Sequence, residues 1–311
     1  MLKTGIKKEL MFFTRSFKMV GIIIAAIALA AASPLMMKLS GAMISSLDSM
    51  GGENYNYSED LEGVSLDISL TGALSSPEST NIRPENMMSL DTDDLMSIFG
   101  EENLAPLGIM SAYGDLTATL MLIFMIVTMY SAGGELKKRS MIIPQNAGLS
   151  TKLYVLPKFL VYPLAAAVFA FVGVLVSGLV TALVFSGAFE LQFTDLLLAA
   201  AIAAVYDAFM VTLYFTLGLC TARAGIATII LYGGSAILST LFASFGADKF
   251  HPFALTSEAQ SVILGEAEPD ITNILGSIGV TLLLMLLCYF ITIFVISAKR
   301  VDNRGKEEIE L

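Results

Sequence analysis

The sequence predicts an all-α integral membrane protein with six transmembrane helices, an N-terminal amphipathic interfacial helix and an acidic external loop with minor β content. Three observations predict it. Of 311 residues, 55% are hydrophobic and only 15% charged, with a mean hydropathy of +0.74; a soluble domain carries roughly 25% charged residues. The apolar residues gather in six runs, 19–37, 116–134, 159–185, 196–221, 225–245 and 274–298, each near the ~20 residues that cross a bilayer. Finally, 15 of the 18 Lys and Arg fall between the runs on one side only. The runs are expected to be helical because hydrocarbon offers no partner to an open backbone.

The basic residues set the orientation. With both termini cytoplasmic, only Lys38, Arg83 and Lys249 lie on or near the outside, as the preference of short basic loops for the inner face requires. The expected location is the cell membrane, multi-pass. Twenty-one of the 28 acids then fall in external segments, so the net charge of −10 reflects topology. No basic patch interleaved with aromatics suggests a nucleic-acid partner.

Residues 1–18 form the first element. Leu2, Ile6, Leu10, Phe13 and Phe17 recur at helical spacing, with Lys7, Lys8, Arg15 and Lys18 opposite. Such a helix lies in the headgroup layer with its lysines drawn to anionic lipid. The competing reading, a signal peptide ending at Ala30-Ala31-Ala32, fits less well because the apolar run continues to Met37. The first transmembrane helix with its outer extension occupies 19–45. Ala26/Ala30 and Ala28/Ala32 have the spacing that lets helices approach closely, and Pro34 is expected to kink the outer end.

Residues 46–115 form the external loop, with fourteen acids and one base, Arg83. Residues 64–70 alternate apolar and polar and read as a short strand, and 91–99 as a helical turn or two. The acidity serves solvation and topology, or draws a cationic ligand. Residues 116–298 carry spans two to six, with a cytoplasmic loop at 135–158, a tight inner turn at Arg223 and an external segment at 246–273. That segment holds the lone histidine, His251, read as structural because no second histidine could share a zinc ion. Cys220 and Cys288 lie within spans and read as small buried apolar residues. Residues 299–311 form a charged cytoplasmic tail.

The loop at 135–158 is the most informative stretch. It carries Lys137, Lys138, Arg139, Lys152 and Lys158 against one acid, Glu135. It is longer than the ~2–8 residues that join antiparallel helices, which suggests that something in the cytosol grips it. The chain has no P-loop, no H-E-x-x-H, no G-x-S-x-G and no C-x-x-C, and no convincing inverted repeat. One ionisable residue lies deep in a span, Asp207, with Tyr214 two turns along the same face. A central Asp costs about 2.5–3.5 kcal/mol on insertion, so it must face protein or water. It is either a buried acid satisfied by a neighbour or a group lining a pathway.

This order of elements resembles the membrane subunit of type 2 ABC exporters, six-helix permeases that pair with a separate ATPase chain. There a Glu closes the second span, a glycine-threonine pair follows, then a Pro, then a Lys opening the third span. Glu135, Pro144 and Lys158 match, whereas Arg139-Ser140 stands where the glycine-threonine pair is usual. The resemblance implies a coupling helix within Glu135 to Ser150 docked on the ATPase, with Glu135, Lys137, Lys138, Arg139, Pro144 and Lys158 as coupling residues. It also implies two ATPase copies, and a second permease that is the same chain or a paralogue. The chain itself is expected to be non-catalytic and without cofactor, with ATP and Mg on the partner and efflux as the outcome. Two other classes remain: an ion-coupled secondary transporter using Asp207, and a non-transporting immunity or sensor protein whose acidic loop binds a cationic peptide.

Overall fold

The computed structural model describes residues 2–15, 17–50, 101–133, 150–185, 192–221, 225–234, 251–264 and 270–309. In chain order these are α1 (Leu2–Arg15), α2 (Phe17–Met50), α3 (Glu101–Thr128), a π-helical turn (Met129–Gly133), α4 (Thr151–Val184), α5 (Phe193–Cys220), α6 (Gly225–Gly234), α7 (Ala254–Leu264) and α8 (Ile271–Ile309). Every regular element among the described residues is helical. Five helices are long and apolar enough to cross a membrane, at Ile23–Met43, Leu107–Thr128, Thr151–Val184, Phe193–Cys220 and Ile271–Ala298. α6 covers only the start of the expected fifth span, whose remainder lies outside the described residues, as do the expected strand at 64–70 and the turn at 91–99.

Contacts between helices fix an antiparallel bundle. At one end, α1 meets the start of α4, where a Cβ on Gly5 would crowd Pro157. At that end the close of α5 meets the close of α3 (Gly218 against Thr128 and Ala132) and of α8 (Cys220 beside Thr292). At the other end, Lys38 of α2 donates to the Val184 carbonyl closing α4, and Leu104 and Ala105 of α3 pack on Phe185. Gly178 of α4 lies there against Leu196 of α5. α5 is the central helix, packed by α3, α4, α7 and α8. Its inward face is small, with Ala199, Ala200 and Ala203 all buried, so neighbouring backbones come close.

Several boundaries differ from the sequence reading: α2 runs on to Met50 and α8 to Ile309, and two helix starts come earlier. α3 begins at Glu101 inside the stretch assigned to the external loop, and its apolar span starts at Leu107 rather than 116. The cause is a buried stripe, Leu104, Ala105, Ile109, Ala112, Tyr113 and Leu116, which leaves Asp115 outside, where the Ser33 hydroxyl donates to it. Helix α4 likewise starts at Thr151, capped by Ser150, so the last eight residues of the expected loop are helical. At 34 residues α4 is about 51 Å long, well beyond a hydrocarbon core of about 30 Å. Its opening turns therefore extend past the apolar layer.

In α2 the pair Ala26/Ala30 is buried, whereas Ala28 is exposed, so one of the two small-residue stripes makes contact. The helix continues through Pro34, whose backbone lies where a Cβ on Gly108 of α3 would press. Cys220 and Cys288 form no disulfide; Cys288 is buried, while Cys220 is half-buried. His251 accepts the Ala254 N–H through Nδ1 and so caps α7, a structural role.

Candidate functional site

The apolar stripe of α1 is divided: Phe13 is buried and Ile6 half-buried, while Leu10 stays on the outside. Leu10 is 51% exposed, whereas Glu9 and Phe13 are each 6% exposed. The inward stripe is Gly5, Glu9 and Phe13, one turn apart, and Lys3, Lys7 and Lys8 point outward. Two features turn this face inward. Gly5 allows the helix to close on Pro157, and Phe13 enters an aromatic nest, its centroid 6.2 Å from Phe124, 6.1 Å from Tyr162 and 6.2 Å from Phe169.

Glu9 is thereby carried to Lys158. The Lys158 ammonium is fully buried at 0% exposure and donates to Glu9 Oε1 at 3.0 Å and to Ser131 Oγ at 3.4 Å. Tyr162, one turn along α4, donates to Glu9 Oε2 at 3.0 Å, and the Ser131 hydroxyl donates to the Tyr162 oxygen at 3.3 Å. The Tyr154 ring lies 5.5 Å from the ammonium, and Phe215 of α5 stacks on Tyr162 at 4.5 Å. A buried charge costs several kcal/mol unless paired and hydrogen-bonded. Here both carboxylate oxygens and the ammonium are engaged.

This polar knot has a topological meaning. Ser131 sits in the π-helical turn that closes α3, and Lys158 in the second turn of α4. The two helices flanking 134–149 are therefore tied to each other directly, Ser131 to Lys158 and Tyr162, and through these two to the Glu9 carboxylate. π-turns widen a helix locally and recur at functional positions; this one brings Ser131 to the knot. Of the expected coupling residues, Glu135, Lys137, Lys138, Arg139 and Pro144 lie outside the described residues. Lys152 is exposed on the first turn of α4, while Lys158 faces Glu9 inside the protein and presents no ammonium to the surface. Sequence reasoning missed Glu9. It is the lone acid of the first 18 residues, and that isolation among basic residues is the signal that could have marked it.

The second polar group lies midway along α5. Asp207 is 1% exposed, and Tyr214, two turns along α5, and Tyr113 of α3 are also buried. Tyr214 donates no hydrogen bond to Asp207. Neither carboxylate oxygen of Asp207 has a partner, nor does the Tyr214 hydroxyl. Thr117 lies near the Tyr113 hydroxyl without completing a hydrogen bond of good geometry. Asp207 and Tyr214 are thus inside the bundle of this chain and line no open face of it.

Among the described residues no group of three or more His, Cys, Asp or Glu gathers as a metal site. Compared with protein-family models, with characterised proteins and with solved structures, the chain matches none.

Proposed function

We propose that this chain is the permease subunit of an ATP-driven exporter, worked by a separate cytoplasmic ATPase through the segment between α3 and α4. In this reading α6 and the residues after it complete a sixth span, and α1 with both termini lies on the cytoplasmic side of the cell membrane. Two permeases, identical or paralogous, pair with two ATPase copies.

The observation that carries the reading is the polar knot. A force applied to the basic segment would reach α3 and α4 together, because the Lys158 ammonium of α4 joins Ser131, in the turn closing α3, to Glu9. The same joint includes α1 and, through Tyr162 and Phe215, the central helix. Three spans and the interfacial helix are then levered as one body. Moving a two-state bundle from 1:99 to 99:1 takes about 5.5 kcal/mol of differential binding, which closure of an ATPase around a docked segment can supply.

The test is purification of the full-length chain from native membranes with identification of the chains that accompany it. An ATPase bearing a phosphate-binding loop is expected. Glu135→Ala and a Lys137/Lys138/Arg139 triple alanine variant are expected to insert normally but to abolish stimulation of that ATPase. Recovery of the chain alone, with gradient-driven transport after reconstitution, would replace this reading with that of a secondary transporter. Binding of a cationic peptide without transport would replace it with that of a sensor.

A further inference from the structure

We infer that Asp115, on the exposed face of α3, binds the ammonium or guanidinium group of a transported molecule, an assignment that rests on the exporter reading and deepens it. Three registers place this carboxylate near mid-depth of the membrane. It stands eight residues, about 12 Å, into the 22-residue span Leu107–Thr128. Ser33, whose hydroxyl donates to it at 3.2 Å, stands ten residues into the 21 of Ile23–Met43. The next residue, Leu116, packs where a Cβ on Gly173 of α4 would stand, near the centre of the apolar run 159–185. Asp115 is nevertheless exposed on the exterior of the chain, and it has no ion pair among the described residues. An acid turned toward acyl chains at that depth is costly, and intramembrane carboxylates ordinarily face protein or a water-filled cavity.

The surface around Asp115 is not built for lipid. Ala118 and Thr119 are exposed beside it, and a Cβ on Gly114 would meet open space. Leu122 is the one large apolar side chain that α3 exposes between Leu107 and Thr128. By contrast α8 presents Leu282, Leu283, Leu286, Phe290 and Phe294 to its surroundings. Asp207 is enclosed within the bundle, so a transport pathway runs over the exterior of this chain, and the α3 face carries a carboxylate there. A carboxylate hydrated in such a pathway bears its charge at neutral pH. One of its oxygens is held by Ser33, and the other has no partner among the described residues. A cation with N–H donors satisfies that oxygen through a charge-assisted hydrogen bond; a neutral passenger gains no ion pair and an anion is repelled. The external segment 46–115, with fourteen acids and one base, sets up a field that draws the same sign of ligand.

The full-length chain carrying Cys220→Ala, Cys288→Ala and Thr119→Cys is labelled in lipid nanodiscs with N-ethylmaleimide, a neutral reagent. The thiol at 119 is expected to react, whereas Leu286→Cys, the lipid-facing control, does not. Octylammonium should slow the reaction at 119 roughly tenfold, and octanol should not. Asp115→Asn should remove that protection, and Asp115→Glu should keep it. With Asp115 intact, methanethiosulfonate reagents of opposite charge, each normalised to a free thiol, should differ roughly tenfold in favour of the cationic one; this arm keeps the test decisive should Asp115→Asn fail to insert. No reaction at 119 overturns the proposal, because lipid or protein then covers the face. It is also overturned by equal rates for the two charged reagents, by the absence of protection, by equal protection from octanol, or by protection that survives Asp115→Asn. No ATPase takes part in the labelling, so a chain that purifies without one sinks the exporter reading separately from this site.

Discussion

Two acids lie buried in this chain, Glu9 and Asp207, and their surroundings are opposite. Glu9 reaches the interior from an interfacial helix and finds an ammonium, a phenol and, through them, a serine. Asp207 is built into the most buried span and meets no hydrogen-bond donor in the described residues. The first is a closed network joining α1, the turn after α3 and α4; the second is a buried carboxyl that makes no hydrogen bond. A closed network holds its helices in fixed relation, and its members fail together. An unpartnered group contributes nothing to cohesion.

The comparison is broken most directly at Lys158. Lys158→Met leaves Glu9 buried and unpaired and is expected to cost about 3–5 kcal/mol, read by denaturation of the full-length chain in detergent micelles. Adding Glu9→Leu should recover most of that loss. A double variant as unstable as the single one would mean that the pair's charge is not what holds α1. Next comes Tyr162→Phe, which deletes the hydroxyl donated to Glu9 and should cost about 1.5–3 kcal/mol, the range for hydrogen bonds to charged groups.

A smaller effect is expected at the other acid. Asp207→Asn replaces one buried group that makes no hydrogen bond by another and should change stability by about 1 kcal/mol at most; a loss of the size expected for Lys158→Met would show that the carboxyl has a partner after all. The smallest effect is expected from Tyr214→Phe, which removes a hydroxyl that makes no hydrogen bond and should leave stability unchanged or raise it by about 0.5 kcal/mol.

Much of the fold was legible because lipid imposes a simple rule. Long apolar runs announced α5 at both ends and the apolar parts of α2, α4 and α8, although those three helices run on past the apolar residues. The start of α3 was misread because Glu101, Glu102 and Asp115 look like loop when counted by polarity, although the apolar residues between them keep a helical stripe. The apolar spacing of α1 was legible, but the inward turn of Glu9 was not, because only a tertiary partner, Lys158, makes its burial favourable. Asp207 was conspicuous in the sequence, but its lack of donors was not, since satisfaction depends on which neighbours arrive.

Glu9 and Lys158 are 149 residues apart in the chain, and that separation has a consequence for biogenesis. The N-terminal helix leaves the ribosome long before the residue that neutralises it. Until α4 has been inserted, the Glu9 carboxylate must stay hydrated at the membrane surface. Docking of α1 is therefore a late event that reports arrival of the third predicted span, and a nascent chain arrested before residue 158 should keep its first helix accessible to protease.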